Sequence, residues 1–77
     1  MRIQVSLFGY LRQYAPAGQE TSELELAAGA SVKDLIERLG IPSTQFKIVL
    51  QNGRYVSEDA ELQEGDNVSL LTPADGG

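Results

Sequence analysis

The sequence predicts an α+β fold, in which one mixed sheet of four or five strands is covered on one face by a single main helix. Three observations lead to this class. Several short segments alternate apolar and polar residues, one segment carries a helical apolar stripe, and glycine- or proline-containing turns separate them. The 77 residues suffice for one domain and leave no room for a second.

The first strand is predicted over residues 2–8, because apolar and polar residues alternate there. Its apolar residues on one face are Ile3, Val5 and Leu7. The alternation then stops, and apolar residues at helical spacing predict a short helix over about residues 9–15. Pro16 ends this helix.

The main helix is predicted over about residues 31–39. Ser31 is a favourable N-cap, and Asp34 is its partner in a capping box. The apolar stripe that faces the core consists of Val32, Leu35, Ile36 and Leu39. Gly40 is predicted to end the helix at the C′ position.

Four further strands are predicted from alternation and from the turns between them. They cover residues 22–27, 46–51, 54–56 and 67–72. Their predicted core residues are Leu24, Leu26, Ile48, Leu50, Val68 and Leu70. Asn52-Gly53 predicts a type I′ hairpin turn, because both central residues of that turn need a positive φ.

The order of these elements favours one compact arrangement. The first and last strands lie side by side at the centre of the sheet, and the long helix packs diagonally across them. This architecture is the β-grasp, or ubiquitin-like, two-layer roll. We expect a β-grasp domain over residues 1–72 and a flexible C-terminal tail over residues 73–77.

The composition of the chain argues against several classes of function. The chain has no Cys and no His, so self-contained hydrolytic, redox or zinc chemistry is not expected. A net charge of −5 disfavours nucleic acid and anionic membranes as partners and suits either a basic protein partner or plain solubility. The absence of an apolar run of membrane-spanning length or of a signal peptide predicts a cytoplasmic protein.

The face of the sheet opposite the helix is predicted to be mostly polar, with three exceptions. Its predicted polar residues are Arg2, Gln4, Ser6, Lys47, Gln51 and Ser69. Phe8, Val49 and Leu71 are out of phase with the core, one on each of three neighbouring strands. A contiguous apolar patch of this kind marks a docking surface. The alternative is that the short helix over residues 9–15 folds over Phe8 and covers it.

The sequence ends with Gly76-Gly77. Because glycine has no Cβ, such a terminus can thread a narrow tunnel and adopt backbone angles closed to other residues. Its α-carboxylate becomes an acyl donor once a partner activates it with ATP as an adenylate. The alternative is an ordinary frayed end without a function.

Several segments, taken together in this order, resemble the MoaD/ThiS family of ubiquitin-like sulfur carriers, most of all the molybdopterin synthase small subunit. These segments are residues 7–12 (LFGYLR), 31–35 (SVKDL), 51–54 (QNGR), 62–68 (LQEGDNV) and 76–77 (GG). They span almost the whole chain. By resemblance the chain is a non-catalytic carrier that binds no cofactor or metal directly.

The resemblance also implies partners and site residues. An E1-like adenylyltransferase would use Mg-ATP to adenylate Gly77, and a sulfurtransferase would supply sulfur to form a thiocarboxylate. The thiocarboxylate would then donate sulfur inside the molybdopterin synthase large subunit. The residues expected to bind partners are Phe8, Val49, Leu71, Pro73, Asp75 and Gly76.

Two departures leave the pathway open. The molybdopterin branch often has two prolines before the glycines, whereas this chain has Pro73 followed by Ala74 and Asp75. The thiazole-forming carriers tend to be shorter, with a hairpin directly after the first strand, whereas residues 9–18 intervene here. A carrier for thiazole or another sulfur pathway, and a modifier conjugated through Gly77, stay as alternatives.

Overall fold

The computed structural model describes residues 1–45 and 47–72. The regular elements are β1 Arg2–Leu7, β2 Thr21–Glu25, α1 Val32–Leu39, β3 Ile48–Gln51, β4 Arg54–Tyr55 and β5 Asn67–Leu71. Two 3₁₀ helices, Gly9–Tyr14 and Pro16–Gly18, connect β1 to β2. The predicted α+β class, the short helix after the first strand and the single long helix are confirmed.

The strands form one five-stranded mixed sheet in the order β2-β1-β5-β3-β4. β1 and β5 are parallel neighbours near the centre, as predicted, and the register pairs Val5 with Val68 and Leu7 with Leu70. The other neighbouring pairs are antiparallel. The two chain-distant strands therefore share one core face, and this arrangement is the β-grasp fold.

The core lies between the sheet and α1. Its largest fully buried side chains are Ile3, Val5, Leu7, Leu11, Val32, Leu35, Leu62, Val68 and Leu70. Burying an aliphatic side chain of this size stabilises a fold by about 1.5–3 kcal/mol. The apolar stripe of α1 and the alternating residues of β1 and β5 thus form the core that their spacing predicts.

Both ends of α1 have the predicted caps. The backbone N–H of Ser31 donates to Asp34 Oδ2 at 2.9 Å, and the N–H of Asp34 donates to Ser31 Oγ at 3.3 Å. Gly40 has φ +80 and ends the helix in the left-handed region. These contacts satisfy backbone donors that the first turn would otherwise leave unpaired.

The structure corrects the phase of β3. Val49 pairs with Leu70 and is buried in the core, whereas Ile48 and Leu50 are half-buried and pair with Leu71 and Ser69 of the opposite face. The predicted core positions Ile48 and Leu50 were therefore wrong, as was the predicted exposure of Val49. Three consecutive apolar residues carry no alternation, so only pairing with β5 could decide the phase.

The same correction applies to the polar residues that flank Val49. Lys47 was predicted on the solvent face, but its side chain is only 4% exposed and its Nζ lies 3.7 Å from Glu58 Oε2. The predicted strand also began at Phe46, which lies outside the described residues, and β3 begins at Ile48.

Asp66 joins two turns at one end of the sheet. Its side chain is buried and accepts hydrogen bonds from Gln51 Nε2 at 2.7 Å, Asn52 Nδ2 at 3.0 Å and the Gln63 N–H at 2.8 Å. Asn52 Oδ1 in turn accepts from the Asn67 N–H at 2.9 Å. One carboxylate thus holds the β3–β4 hairpin against the turn that leads into β5.

These contacts set the pKa of Asp66. Burial opposes ionisation, but the hydrogen bonds from Asn52, Gln51 and the Gln63 backbone outweigh it and lower the pKa of the carboxyl below its ordinary value. A lowered folded-state pKa adds stability above the unfolded pKa, and that stability disappears as the pH falls through the folded value.

We expect Asp66→Asn to lower the free energy of unfolding at pH 7 by about 1–3 kcal/mol, because an amide nitrogen replaces one acceptor oxygen among three donors. The difference from the wild type should shrink as the pH falls below the ordinary Asp pKa of about 3.9 and through the lower folded-state pKa, since the wild-type carboxyl then becomes protonated. Urea unfolding at pH 7 and at a series of acidic pH values measures this. The matched control is Asp59→Asn, an exposed carboxylate. Equal stability of wild type and Asp66→Asn at pH 7 would contradict the role of the network.

Candidate functional site

The candidate site consists of the C-terminal tail and the sheet face beside its root. Gly77, Gly76, Asp75 and Pro73 lie outside the described residues, so their roles stay predictions. The tail begins after Thr72, at the end of the central strand β5. The structure therefore fixes the position of Thr72, which precedes the tail in the sequence, and the side chains that surround it.

A row of apolar side chains crosses the outer face of the sheet at this end. Leu71 pairs with Ile48 of β3, and Leu50 pairs with Tyr55 of β4. Phe8 follows Leu7, which pairs with Leu70, so the same parallel register brings Phe8 beside Leu71. Directly opposite residues share one face of a sheet. We call these five residues, Phe8, Ile48, Leu50, Tyr55 and Leu71, the outer patch.

The outer patch is accessible. Phe8 is 37% exposed and Tyr55 is 80% exposed, while Ile48, Leu50 and Leu71 are half-buried. The 3₁₀ helix Gly9–Tyr14 therefore leaves Phe8 more than one-third exposed. Apolar residues contiguous over four strands are uncommon on the surface of a small domain, and the outer patch is therefore the candidate docking surface.

Of the three residues predicted to form this surface, the structure brings two together. Phe8 and Leu71 lie side by side, whereas Val49 is 4% exposed on the core side of β3. Val49 is therefore not available to a partner. Its two neighbours in the sequence, Ile48 and Leu50, take the outward positions, so the surface is larger than predicted.

The root of the tail is held by the end of β1. The N–H of Phe8 donates to the Leu70 carbonyl at 3.0 Å, which continues the parallel ladder past the last residue of β1. Gly9 follows with φ +62, and a Cβ at this position would lie 2.9 Å from Thr72 Oγ1. Real Cβ atoms essentially never approach so closely, so the tail root passes Gly9 at a distance only glycine allows.

From the sequence, Gly9 was identified only as the point where the alternation of apolar and polar residues stops. The sequence pattern also missed Ile48, Leu50 and Tyr55 as surface residues. A glycine directly after a strand is a signal for close backbone approach. It did not indicate which segment approaches, because Gly9 and Thr72 are distant in the sequence. The hairpin turn did place Tyr55 near Leu50, but the phase of the strand was needed to place both on the outer face.

Among residues 1–45 and 47–72, no cluster of acidic side chains is arranged to hold a metal ion. Within the same two ranges, no helix is long and apolar enough to cross a membrane. The described part of the site consists of apolar side chains and backbone groups.

Family comparison fits this geometry. The model of the ThiS family matches residues 5–77, which run from the first strand through the terminal glycines. The chain belongs to the ThiS family. This family comprises small ubiquitin-like sulfur carriers and modifiers, so membership confirms the family that the resemblance implied and leaves both the carrier and the modifier roles open.

Solved structures agree with this membership. The Pyrococcus furiosus protein assigned as subunit 1 of molybdopterin converting factor is 33% identical, with a TM-score of 0.77, and the match covers 95% of this chain and 98% of that one. A small archaeal modifier protein from Haloferax volcanii is 24% identical with a TM-score of 0.81, covering 100% of both chains.

A third ThiS-like structure was solved together with its partner. The complex of subunits 1 and 2 of the molybdopterin-converting factor from Helicobacter pylori matches this chain at 23% identity with a TM-score of 0.67, covering 100% of both chains. At this identity the likeness concerns the fold. Carriers and modifiers thus share the β-grasp domain, and the domain by itself does not distinguish their pathways.

We expect Gly9→Ala to destabilise the ThiS-like domain by about 1–3 kcal/mol, because it combines a positive φ with a clash against Thr72 Oγ1. The double variant Gly9→Ala/Thr72→Ala should recover the part caused by the clash. Urea unfolding of the two single variants and the double variant separates strain from contact.

Gly18→Ala is the matched control for this test, because Gly18 has φ +73 and no atom within 4 Å of its Cβ position. It should show only the cost of the backbone conformation. If removing Thr72 Oγ1 recovers none of the stability lost in Gly9→Ala, the close approach of Gly9 to the tail root is wrong.

Proposed function

We propose that this chain is a sulfur carrier in molybdopterin biosynthesis, with Gly77 as the residue that carries the sulfur. The observation that carries this proposal is the family match, which continues past the last strand to the terminal glycines. The identity of 33% to a molybdopterin converting factor subunit 1 favours that branch of the family. The carrier would act in the cytoplasm as the small subunit of a molybdopterin synthase.

The chemistry starts with activation of a poor acyl donor. A carboxylate oxygen of Gly77 attacks the α-phosphate of ATP, and pyrophosphate leaves, which yields an acyl-adenylate. The terminal sulfur of a partner persulfide then attacks the acyl carbon and expels AMP. Reduction of the resulting acyl disulfide by a thiol, with two electrons, frees the thiocarboxylate, which donates its sulfur to the acceptor.

The partners must supply every catalytic group, because this chain has neither Cys nor His. An E1-like adenylyltransferase would bind Mg-ATP, and a sulfurtransferase would provide the persulfide. The carrier itself binds no cofactor in this scheme. Its contribution is a terminal glycine whose acyl carbon is not shielded by a side chain.

The outer patch suits docking of the large subunit. It borders the strand from which the tail leaves, so a partner seated on Leu71 and Ile48 is positioned to receive residues 73–77 in its active site. The Helicobacter pylori protein forms a complex with subunit 2 of its converting factor. Because Asp75 lies two residues before Gly77, the receiving tunnel would need a cationic or polar group beside it.

Incubation of the full chain with its cognate E1-like enzyme, Mg-ATP and a sulfur donor tests the proposal by intact mass spectrometry. We expect a gain of about 16 Da, the replacement of one carboxylate oxygen by sulfur. The loaded carrier should then convert molybdopterin precursor with the large subunit. A variant that lacks Gly77 is the control and should gain no mass.

Other outcomes identify the alternatives. A mass gain with transfer only to a thiazole-forming enzyme would place the chain in thiamine biosynthesis. Attachment to lysines of other proteins would identify a modifier. An unchanged mass with a competent enzyme would contradict the carrier function.

The outer patch gives a second prediction. Leu71→Glu and Ile48→Glu should each weaken binding to the large subunit about tenfold or more, because each adds a charge that the interface must desolvate. Gln19→Glu, at an exposed side chain outside the patch, is the matched control for added charge. Isothermal titration calorimetry measures binding, and circular dichroism checks the fold. Wild-type affinity in both patch variants would exclude this face as the docking surface.

A further inference from the structure

The strand β2 forms one edge of the sheet, and it pairs with β1 on one side only. The reciprocal bonds between Met1 and Leu26 (2.6 and 2.8 Å), together with the bond from Leu7 N–H to the Glu20 carbonyl (2.9 Å), set the ladder. The even-numbered residues of β2 therefore direct their backbone N–H and C=O groups toward β1. Thr21, Glu23 and Glu25 direct theirs toward the open edge.

Most of these outward groups have no partner within the described residues. The Glu25 carbonyl accepts a hydrogen bond from Arg38 Nη1 at 2.9 Å. The N–H and C=O groups of Thr21 and Glu23 make no hydrogen bond to residues 1–45 or 47–72. An edge of this kind is a template for another strand.

An apolar groove lies directly beside this edge, on the helix side of the sheet. Its volume is about 310 Å³, and it is lined by Tyr14, Pro16, Leu24, Arg38 and Leu39. Leu24 pairs with the core residue Ile3, so its side chain faces the helix side. Alternate side chains of a strand added to β2 would point to the same side and enter this groove.

The other face of the edge is acidic. Glu23 and Glu25 both lie on it, because they pair with Gln4 and Arg2 of the outer face. Glu25 already pairs with the Met1 ammonium at 3.3 Å and with Arg2 Nε at 3.6 Å. Within residues 1–45 and 47–72, Glu23 has no ion-pair partner. Its carboxylate favours a cationic ligand.

We propose that β2 binds an extended segment of a partner protein in which apolar and basic residues alternate. The segment adds to the sheet as a further strand through backbone hydrogen bonds to Thr21 and Glu23. Its apolar side chains fill the groove between Leu24 and Leu39, and its lysines or arginines lie on the other face, beside Glu23.

A second copy of this chain fits the edge poorly. Antiparallel pairing of two β2 strands centred on Glu23 places the two Glu23 carboxylates directly opposite each other. Like charges at such positions are destabilising. The acidic pattern thus acts against self-pairing and in favour of a basic partner.

This surface is separate from the outer patch. β2 is at one edge of the sheet, whereas the patch is centred on β5, β3 and β4, on the far side of β1. A partner held at β2 would leave the patch and the tail root uncovered. The carrier could thus be tethered by one protein while its tail is loaded or unloaded by another.

The probe is a short peptide of alternating residues, Lys-Val-Lys-Ile-Lys-Val-Lys, added to the full ¹⁵N-labelled chain and followed by amide chemical shifts. We expect saturable shifts in residues 20–25 and in the groove residues, with a dissociation constant of about 1 mM or lower. The same peptide with Glu in place of Lys should bind at least about fivefold more weakly at low salt.

Glu23→Pro tests the backbone hydrogen bond. The Glu23 N–H points away from β1, so proline removes an edge donor without breaking the ladder. We expect binding to weaken about tenfold, with the amide dispersion of the rest of the domain unchanged. Glu23→Gln removes only the charge and should weaken binding about two- to threefold at low salt, with no difference at high salt.

Four results would overturn the proposal. The first is the absence of amide shifts in the wild type at about 2 mM peptide, and the second is shifts confined to the outer patch. The third is wild-type affinity in Glu23→Pro, and the fourth is self-association through residues 21–25 without peptide. If Glu23→Pro loses its amide dispersion, Thr21→Pro replaces it as the deciding variant. The N–H of Thr21 also points to the open edge, so this variant should show the same loss of binding.

Discussion

The parallel pairing of β1 with β5 is the interaction on which the rest of this domain depends. It joins the first and last strands of the chain at the centre of one sheet, and its register places Val5 beside Val68 and Leu7 beside Leu70 in the core. The same register continues into the bond from the Phe8 N–H to the Leu70 carbonyl. It therefore determines both the packing of the core and the point at which the tail leaves.

This geometry bears on the proposed function because the outer patch directly adjoins the tail root. The strand that carries Leu71 ends beside Gly9 and is flanked by Phe8 on one side and Ile48 on the other. A partner that recognises the patch is thereby aligned with the residues that follow Thr72. In the function that we propose, the folded domain supplies the docking surface, and the reactive group belongs to the main chain. This division explains how a chain without Cys or His can serve covalent sulfur chemistry.

The two surfaces of the sheet have different physical characters. The outer patch offers apolar area, which gives affinity through burial. The β2 edge offers backbone groups and carboxylates, which select for an extended, basic segment. The chain has 11 acidic against 6 basic residues, and on the outer face of this edge the Glu23 carboxylate has no counter-ion within the described ranges.

The sequence by itself determined the class of fold, the helix with both of its caps, the phase of β1 and β5, and the family. Each of these depends on local chemistry: Ser31 and Asp34 cap a nearby helix end, and alternation in residues 2–8 has only one apolar phase. Tertiary structure alone decided which face Ile48, Val49 and Leu50 present, because three apolar neighbours fit either phase until β5 fixes the register. It also decided the contact of Gly9 with Thr72 and the open edge of β2, since both arise from strands that meet only in the folded sheet.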